Sequence, residues 1–183
     1  RVFPDLISDN GKKKFGTGAA AFNGATTGAT IHSLVVNPAG NNLTFGSGDF
    51  TIDFWVRPEA LPSAGKLKLL LELGGTDVLQ LYYLPNGRFT LFYYKDAETF
   101  SFVRAPDNVA LTLDRWHHIA IQRKTVSRTS YVSLAVDGKV GDWVAFPHDL
   151  PLFTRLDFGW PYGTSDYYEA FQGQIDEFRI VKD

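Results

Sequence analysis

The stretch Gly48-Asp-Phe-Thr-Ile-Asp-Phe-Trp-Val-Arg-Pro58 alternates with period two. Phe50, Ile52, Phe54 and Val56 fall on one face of an extended chain, and Thr51, Asp53, Trp55 and Arg57 on the other. Bulky apolar residues on one side and mostly polar ones on the other describe a strand lying on a core. Working outward, Leu67, Leu69, Leu71 and Leu73 alternate with Lys68, Leu70 and Glu72. Further strands are expected at 78–84, 88–95, 99–104, 116–123, 131–136, 155–158 and 174–181, with weaker patterns at 19–23 and 30–36. Pro85-Asn86-Gly87 and Asp137-Gly138 supply hairpin turns between them. No amphipathic helix is visible, and a single turn near 41–43 or 112–115 is the most the pattern allows. About a dozen short strands with this turn chemistry predict an all-β fold, a two-sheet antiparallel β-sandwich or jelly roll. Its core is expected to bury Phe50, Ile52, Phe54, Val56, Ile119, Ile121, Val132, Leu134, Val136, Phe178 and Ile180.

Composition supports this reading. The 183 residues suit a single domain over 1–183, large enough to bury a core without cross-links. Fifteen Phe, eight Tyr and four Trp, with 17 Gly and nine Pro, favour strands and turns over helices. Lys and Arg number 18 against 20 Asp and Glu, so no basic excess exists to neutralise a nucleic acid backbone. The run Lys12-Lys13-Lys14 reads as a solvated turn. Cysteine is absent, which removes thiolate catalysis, disulfides and Cys-based zinc sites. Methionine is also absent and the chain opens at Arg1, so a processed or excised piece is expected. No apolar run approaches the roughly 18 residues of a membrane span, and no membrane insertion is expected.

Four ordered stretches carry a family likeness: 48–58, quoted above, Arg115-Trp-His-His-Ile-Ala-Ile-Gln-Arg123, Leu134-Ala-Val-Asp-Gly138 and Gly173-Gln-Ile-Asp-Glu-Phe-Arg-Ile180. With the weaker Phe15-Gly-Thr-Gly-Ala-Ala-Ala-Phe-Asn-Gly24, they resemble the laminin-G-like branch of the concanavalin-A-like lectin/glucanase superfamily across residues 15–180. The 46–58 region looks much like versions found in phage structural proteins and bacterial surface proteins. The resemblance implies a concanavalin-A-like jelly roll. It leaves function open, because one fold hosts many activities.

Superfamily glucanases place alternate carboxylates on one strand, so that a nucleophile and an acid flank the scissile bond about 5–5.5 Å apart. Here Gln174 and Phe178 stand where two of those carboxylates should be, and Glu177 points away from Asp176. No Gly-x-Ser-x-Gly elbow, His-Glu-x-x-His or phosphate loop is present. Gly16-Thr17-Gly18 and Gly46-Ser47-Gly48 lack the helix that a phosphate site needs. His118, beside Trp116, reads first as a satisfied core histidine, and the four histidines show no ligand spacing. The chain is therefore expected not to be an enzyme.

Two aromatic surfaces remain. The loop Gly159-Trp-Pro-Tyr-Gly-Thr-Ser-Asp-Tyr-Tyr-Glu169 carries four large rings with polar edges, suited to sugar rings or a protein surface. Its candidate ligand-binding residues are Trp160, Tyr162, Asp166, Tyr167 and Tyr168. The alternative is that Trp160 and Tyr168 fold back as a lid on one end of the sandwich. The second surface draws on Tyr82, Tyr83, Phe89, Phe92, Tyr93, Tyr94, Phe100 and Phe102, of which alternation sends about half inward. Asn42-Leu43-Thr44 is a glycosylation sequon, read as coincidental. These features predict an adhesion or recognition module that binds a glycan or partner surface, outside a cell or on a virion. The rival reading is a structural subunit that contacts other virion or surface subunits.

The resemblance also implies a structural calcium ion. Asp176, placed by alternation beside Phe178 and Ile180 on the core side, would give the carboxylate. Gly24 and a residue near Pro4 would give carbonyl oxygens. The alternative is that Asp176 accepts hydrogen bonds from backbone amides or from Arg57 or Arg123.

Overall fold

A computed structural model describes residues 7–9, 11–25, 34–36, 43–96, 98–159 and 166–182, with 7–9 and 34–36 described for their backbone only. The strands, in chain order, begin with β1 (Ile7–Asp9), β2 (Ala19–Asn23), β3 (Leu34–Val36), β4 (Thr44–Gly46), β5 (Phe50–Pro58) and β6 (Leu67–Gly74). Next come β7 (Val78–Tyr83), β8 (Phe89–Tyr94), β9 (Phe100–Arg104), β10 (His117–Val126), β11 (Thr129–Val136) and β12 (Lys139–Val140). The series ends with β13 (Val144–Ala145), β14 (Leu150–Leu152), β15 (Arg155–Phe158), β16 (Tyr168–Glu169) and β17 (Gln172–Lys182). No helix occurs among the described residues.

Two large sheets form the sandwich. One has eight strands, in the order β1-β2-β17-β5-β10-β11-β12 with β13 also on β11. The other has seven, in the order β3-β15-β6-β7-β8-β9 with β16 also on β6. A separate pair, β14-β4, completes the described strands.

The alternation in β5 sets the core. Phe50, Ile52, Phe54 and Val56 are buried and face Leu71, Leu73, Leu79, Leu81 and Leu91 of the second sheet. β10 continues the layer, pairing Ile119 with Phe54 and Ile121 with Ile52, and β11 adds Val132, Leu134 and Val136. In β6 the register shifts between Leu69 and Leu71, so Leu71 and Leu73 face the core while Leu69 lies opposite Tyr82 on the outer side.

Two of the expected core residues, Phe178 and Ile180, are only half-buried. A bulge separates Asp176, opposite Trp55, from Arg179, opposite Asp53, with Glu177 in the left-handed region at φ 54°. Asp176 is thereby placed on the outer face with Trp55, not on the core side. β17 pairs with β2 only as far as Ile175, so beyond it the strand has β5 on one side alone. Phe178 still packs edge-on against Phe158, ring centroids 4.9 Å apart.

Candidate functional site

Alternation along β7, β8 and β9 divides the second aromatic surface as expected. Tyr83, Phe89 and Tyr93 enter the core. Tyr82, Phe92, Tyr94, Phe100 and Phe102 face outward, because Phe92 pairs with Gln80 and Phe102, and Tyr94 pairs with Val78 and Phe100. Their rings form a ladder across the sheet. Tyr168 lies flat on Tyr82 at 5.4 Å, Tyr82 meets Phe92 edge-on at 5.7 Å, and Phe92 meets Phe102 at 6.3 Å. The Arg104 guanidinium closes the row 4.6 Å above Phe102.

From Tyr82 towards the β9 edge the outward rings become more exposed. Tyr82 is 2% exposed, whereas Phe102 is 40%, Tyr94 48% and Phe100 56%. Burial first, and then Tyr168, push the Tyr82 hydroxyl far above its ordinary pKa. At its open end the ladder borders a groove of about 650 Å³ lined by Phe100, Phe102, Arg104, Asp107, Val140 and Asp142. β9 is the edge strand there, and Arg88 anchors Asp107 by an ion pair. Flat rings next to charged and hydroxyl-bearing groups give apolar contact and hydrogen bonding within one footprint.

A polar cluster shares the outer face. Asp157 pairs with Glu72, Glu72 with Gln80, and Gln80 with Phe92, so acids and aromatics lie in one row across the sheet. Arg155 bridges Glu72 and Asp157, and Gln80 donates to Glu72 at 2.6 Å. Asp157 is 3% exposed, its Oδ1 has no partner among the described residues, and burial raises its pKa above the ordinary carboxylate range. The cluster brings β15 against β6 and β7, with Arg155 83 positions beyond Glu72, and no local pattern announces it.

Of the expected loop site, Trp160 and Tyr162 lie outside the described residues. Asp166 and Tyr167 are exposed, Tyr167 at 71%. Tyr168 instead stacks on Tyr82 on the outer face of the sheet, rather than over an end of the sandwich. The segment is fastened to the start of β6, where Leu67 N–H donates to Tyr167 O at 2.9 Å and Lys66 reaches Asp166 O. Tyr168 thus joins the loop to the aromatic ladder.

Gly24 and Asp176 do not come together. Ile175 stands opposite Ala20 and Gln172 opposite Asn23, which puts Asp176 and Gly24 about five positions, roughly 16 Å, apart along the sheet. Two ligands of one calcium ion lie within about 5 Å of each other. The pair therefore does not fit a shared ion. The Asp176 carboxylate accepts instead from the backbone amides of Lys14 (2.9 Å), Phe15 (3.1 Å) and Glu177 (2.9 Å). No group of three His, Cys, Asp or Glu suited to a metal occurs among the described residues.

His118 is not a core histidine. It lies on the outer face, its Nε2 3.1 Å from Asp53 Oδ1. The buried one is His117, held by Asp137 at 2.7 Å and by Thr112. Gln174, at the first superfamily carboxylate position, bonds Arg57 and Glu59. His32 and Asn42 lie outside the described residues.

Two antiparallel sheets with an aromatic outer face define a jelly-roll domain of the lectin type. The chain belongs to the concanavalin A-like lectin/glucanases superfamily, whose Laminin_G_3 model matches residues 18–183. Among solved structures, it is similar to domains LG4-5 of the mouse laminin alpha1 chain, with a TM-score of 0.65 and 16% identity. That match covers 95% of this chain and 44% of the laminin chain. Domain 4 of AbnA, a GH43 extracellular arabinanase from Geobacillus stearothermophilus in complex with arabinotriose, gives 0.66 and 18%, covering 96% and 74%. The Ruminococcus gnavus IT-sialidase CBM40 bound to α2,3 sialyllactose gives 0.57 and 16%, covering 75% and 78%. A comparison with curated proteins gives no match. No helix among the described residues is long and apolar enough to cross a membrane.

Proposed function

We propose that this domain is a non-catalytic recognition module that binds a glycan on the outer face of its seven-stranded sheet. The observation that carries the reading is the exposed row Tyr94, Phe100 and Phe102, capped by Arg104 at the groove. Monomeric proteins seldom leave three large rings side by side in water, and such patches mark interaction sites. Tyr94 stands opposite Phe100 across β8 and β9, and Phe102 lies two positions along the same face, so the three rings can share one stretch of a sugar chain. Arg104 supplies donors and Asp142 acceptors for hydroxyl groups at the groove.

The extracellular arabinanase domain and the sialyllactose-bound module support a glycan as the partner class and a location outside the cell. Display on a virion rests on the sequence likeness of residues 46–58 alone. Screening the domain on a glycan array beside its Phe100→Ala variant tests the reading. Specific signals that fade in the variant are expected. An array with no signal, from protein that self-associates through this face, would favour an assembly subunit instead.

A further inference from the structure

The opposite side of the sandwich carries its own cavity. It has about 510 Å³, lies on the outer face of the eight-stranded sheet, and is lined by Phe15, Trp55, His118, Asp137, Gly138 and Arg179. Phe15 is 52% exposed and stands edge-on to Trp55 at 6.0 Å, so one open ring is backed by a second. The Lys14 ammonium sits 3.9 Å over the Trp55 ring.

Two cations stand at the cavity, Arg179 in its lining and Lys14 over the Trp55 wall. Asp53, 5% exposed, uses its Oδ1 to accept from His118 Nε2 (3.1 Å), Arg179 Nε (3.1 Å) and Arg179 Nη2 (2.6 Å). That grip fixes the guanidinium while its side chain stays 64% exposed, with Nη1 unbonded among the described residues. Lys14 has no carboxylate in ion-pair reach among those residues. The nearby acids are already engaged. Asp137 accepts from His117 Nδ1 and the His118 amide, and Asp176 from three amides. Glu177, which also acts on Arg179, is exposed and screened by water.

We propose that this cavity is a second ligand site, taking a saccharide that carries a carboxylate. The Phe15 ring meets the apolar face of the sugar, and the preset guanidinium and Lys14 meet its carboxylate. The site shares no residue with the aromatic ladder and stands without it. The molecule would then bind on both faces.

NMR titration of the domain with glucuronate, and with glucose as the neutral match, tests this. The Trp55 indole signal, assigned through Trp55→Phe, is expected to move saturably with glucuronate and at least about tenfold more weakly with glucose. Arg179→Gln abolishes the response, and Arg179→Lys weakens it several-fold, while signals from Phe100 and Phe102 stay as they were. An unmoved indole, an equal response to glucose, or a full response in Arg179→Gln would each overturn the proposal.

Discussion

Tyr168 lies on Tyr82 with ring planes 6° from parallel and centroids 5.4 Å apart. This contact adds side-chain packing to the short β16–β6 pairing and the bonds at Lys66 and Leu67 that hold the segment to the seven-stranded sheet. Tyr168→Ala should therefore cost about 1–2 kcal/mol in a denaturant titration and expose Tyr82 to water. Unchanged stability would mean that the backbone pairing with β6 and the Lys66 and Glu169 bonds hold the segment without the ring contact.

Asp176 offers a second test. Its carboxylate ties the 14–15 segment to β17 through charge-assisted bonds from two amides. Asp176→Ala should cost about 1–3 kcal/mol and speed hydrogen exchange at Lys14 and Phe15. Because amides fill the role, the loss should be the same with and without a chelator. A loss that disappears in chelator would restore a metal ion to this carboxylate.

Gly173 has φ 144°, and a Cβ there would stand 2.2 Å from the Arg57 carbonyl oxygen and 3.0 Å from Pro58 Cα. Gly173→Ala should destabilise the domain by about 3 kcal/mol or more, since both obstacles are backbone of the central strand β5. A melting temperature equal to that of the parent would refute the tight β5–β17 approach.

These contacts mark where the sequence stops being readable. β5 could be placed by alternation, because its bulky residues lie on the core and Thr51, Asp53 and Arg57 point away, whereas β8 and β9 alternate with rings on their outer faces. The split of the aromatic surface followed from the same period. The face of Asp176 escaped because a bulge adds one residue without any Gly or Pro to announce it, and Phe178 and Ile180 stay half-buried because β2 no longer flanks β17 beyond Ile175. The turn Ser127-Arg128 was equally silent, with both residues at positive φ (50° and 68°) and no glycine. The row Asp157–Glu72–Gln80–Phe92 depends on the register of four strands, and register is a product of packing. Gly24 and Asp176 were paired by family likeness, and strand register sets them far apart.

His148 makes stability depend on pH. Burial first, and then the Arg123 charge, hold its imidazole below the ordinary histidine range, stacked on Tyr93 at 4.6 Å and 2.8 Å from Ser101 Oγ. With the folded value depressed, the unfolded chain takes the proton first as pH falls below about 6.5. This group leaves stability unchanged above that pH, and stability is lost as pH drops toward the folded value. Melting temperatures at pH 7.5 and 5.5 should therefore fall more for the parent than for His148→Gln. Equal drops in both proteins would remove His148 as the cause.

Glycan recognition by the aromatic face is decided by calorimetric titration of a bound oligosaccharide into Phe100→Ala, Phe102→Ala and the double variant. Both rings are exposed, so the melting temperature should hardly move while each substitution weakens binding by about 1–2 kcal/mol and the double variant binds at least tenfold more weakly. Full parental affinity in a correctly folded double variant would contradict glycan binding at this face.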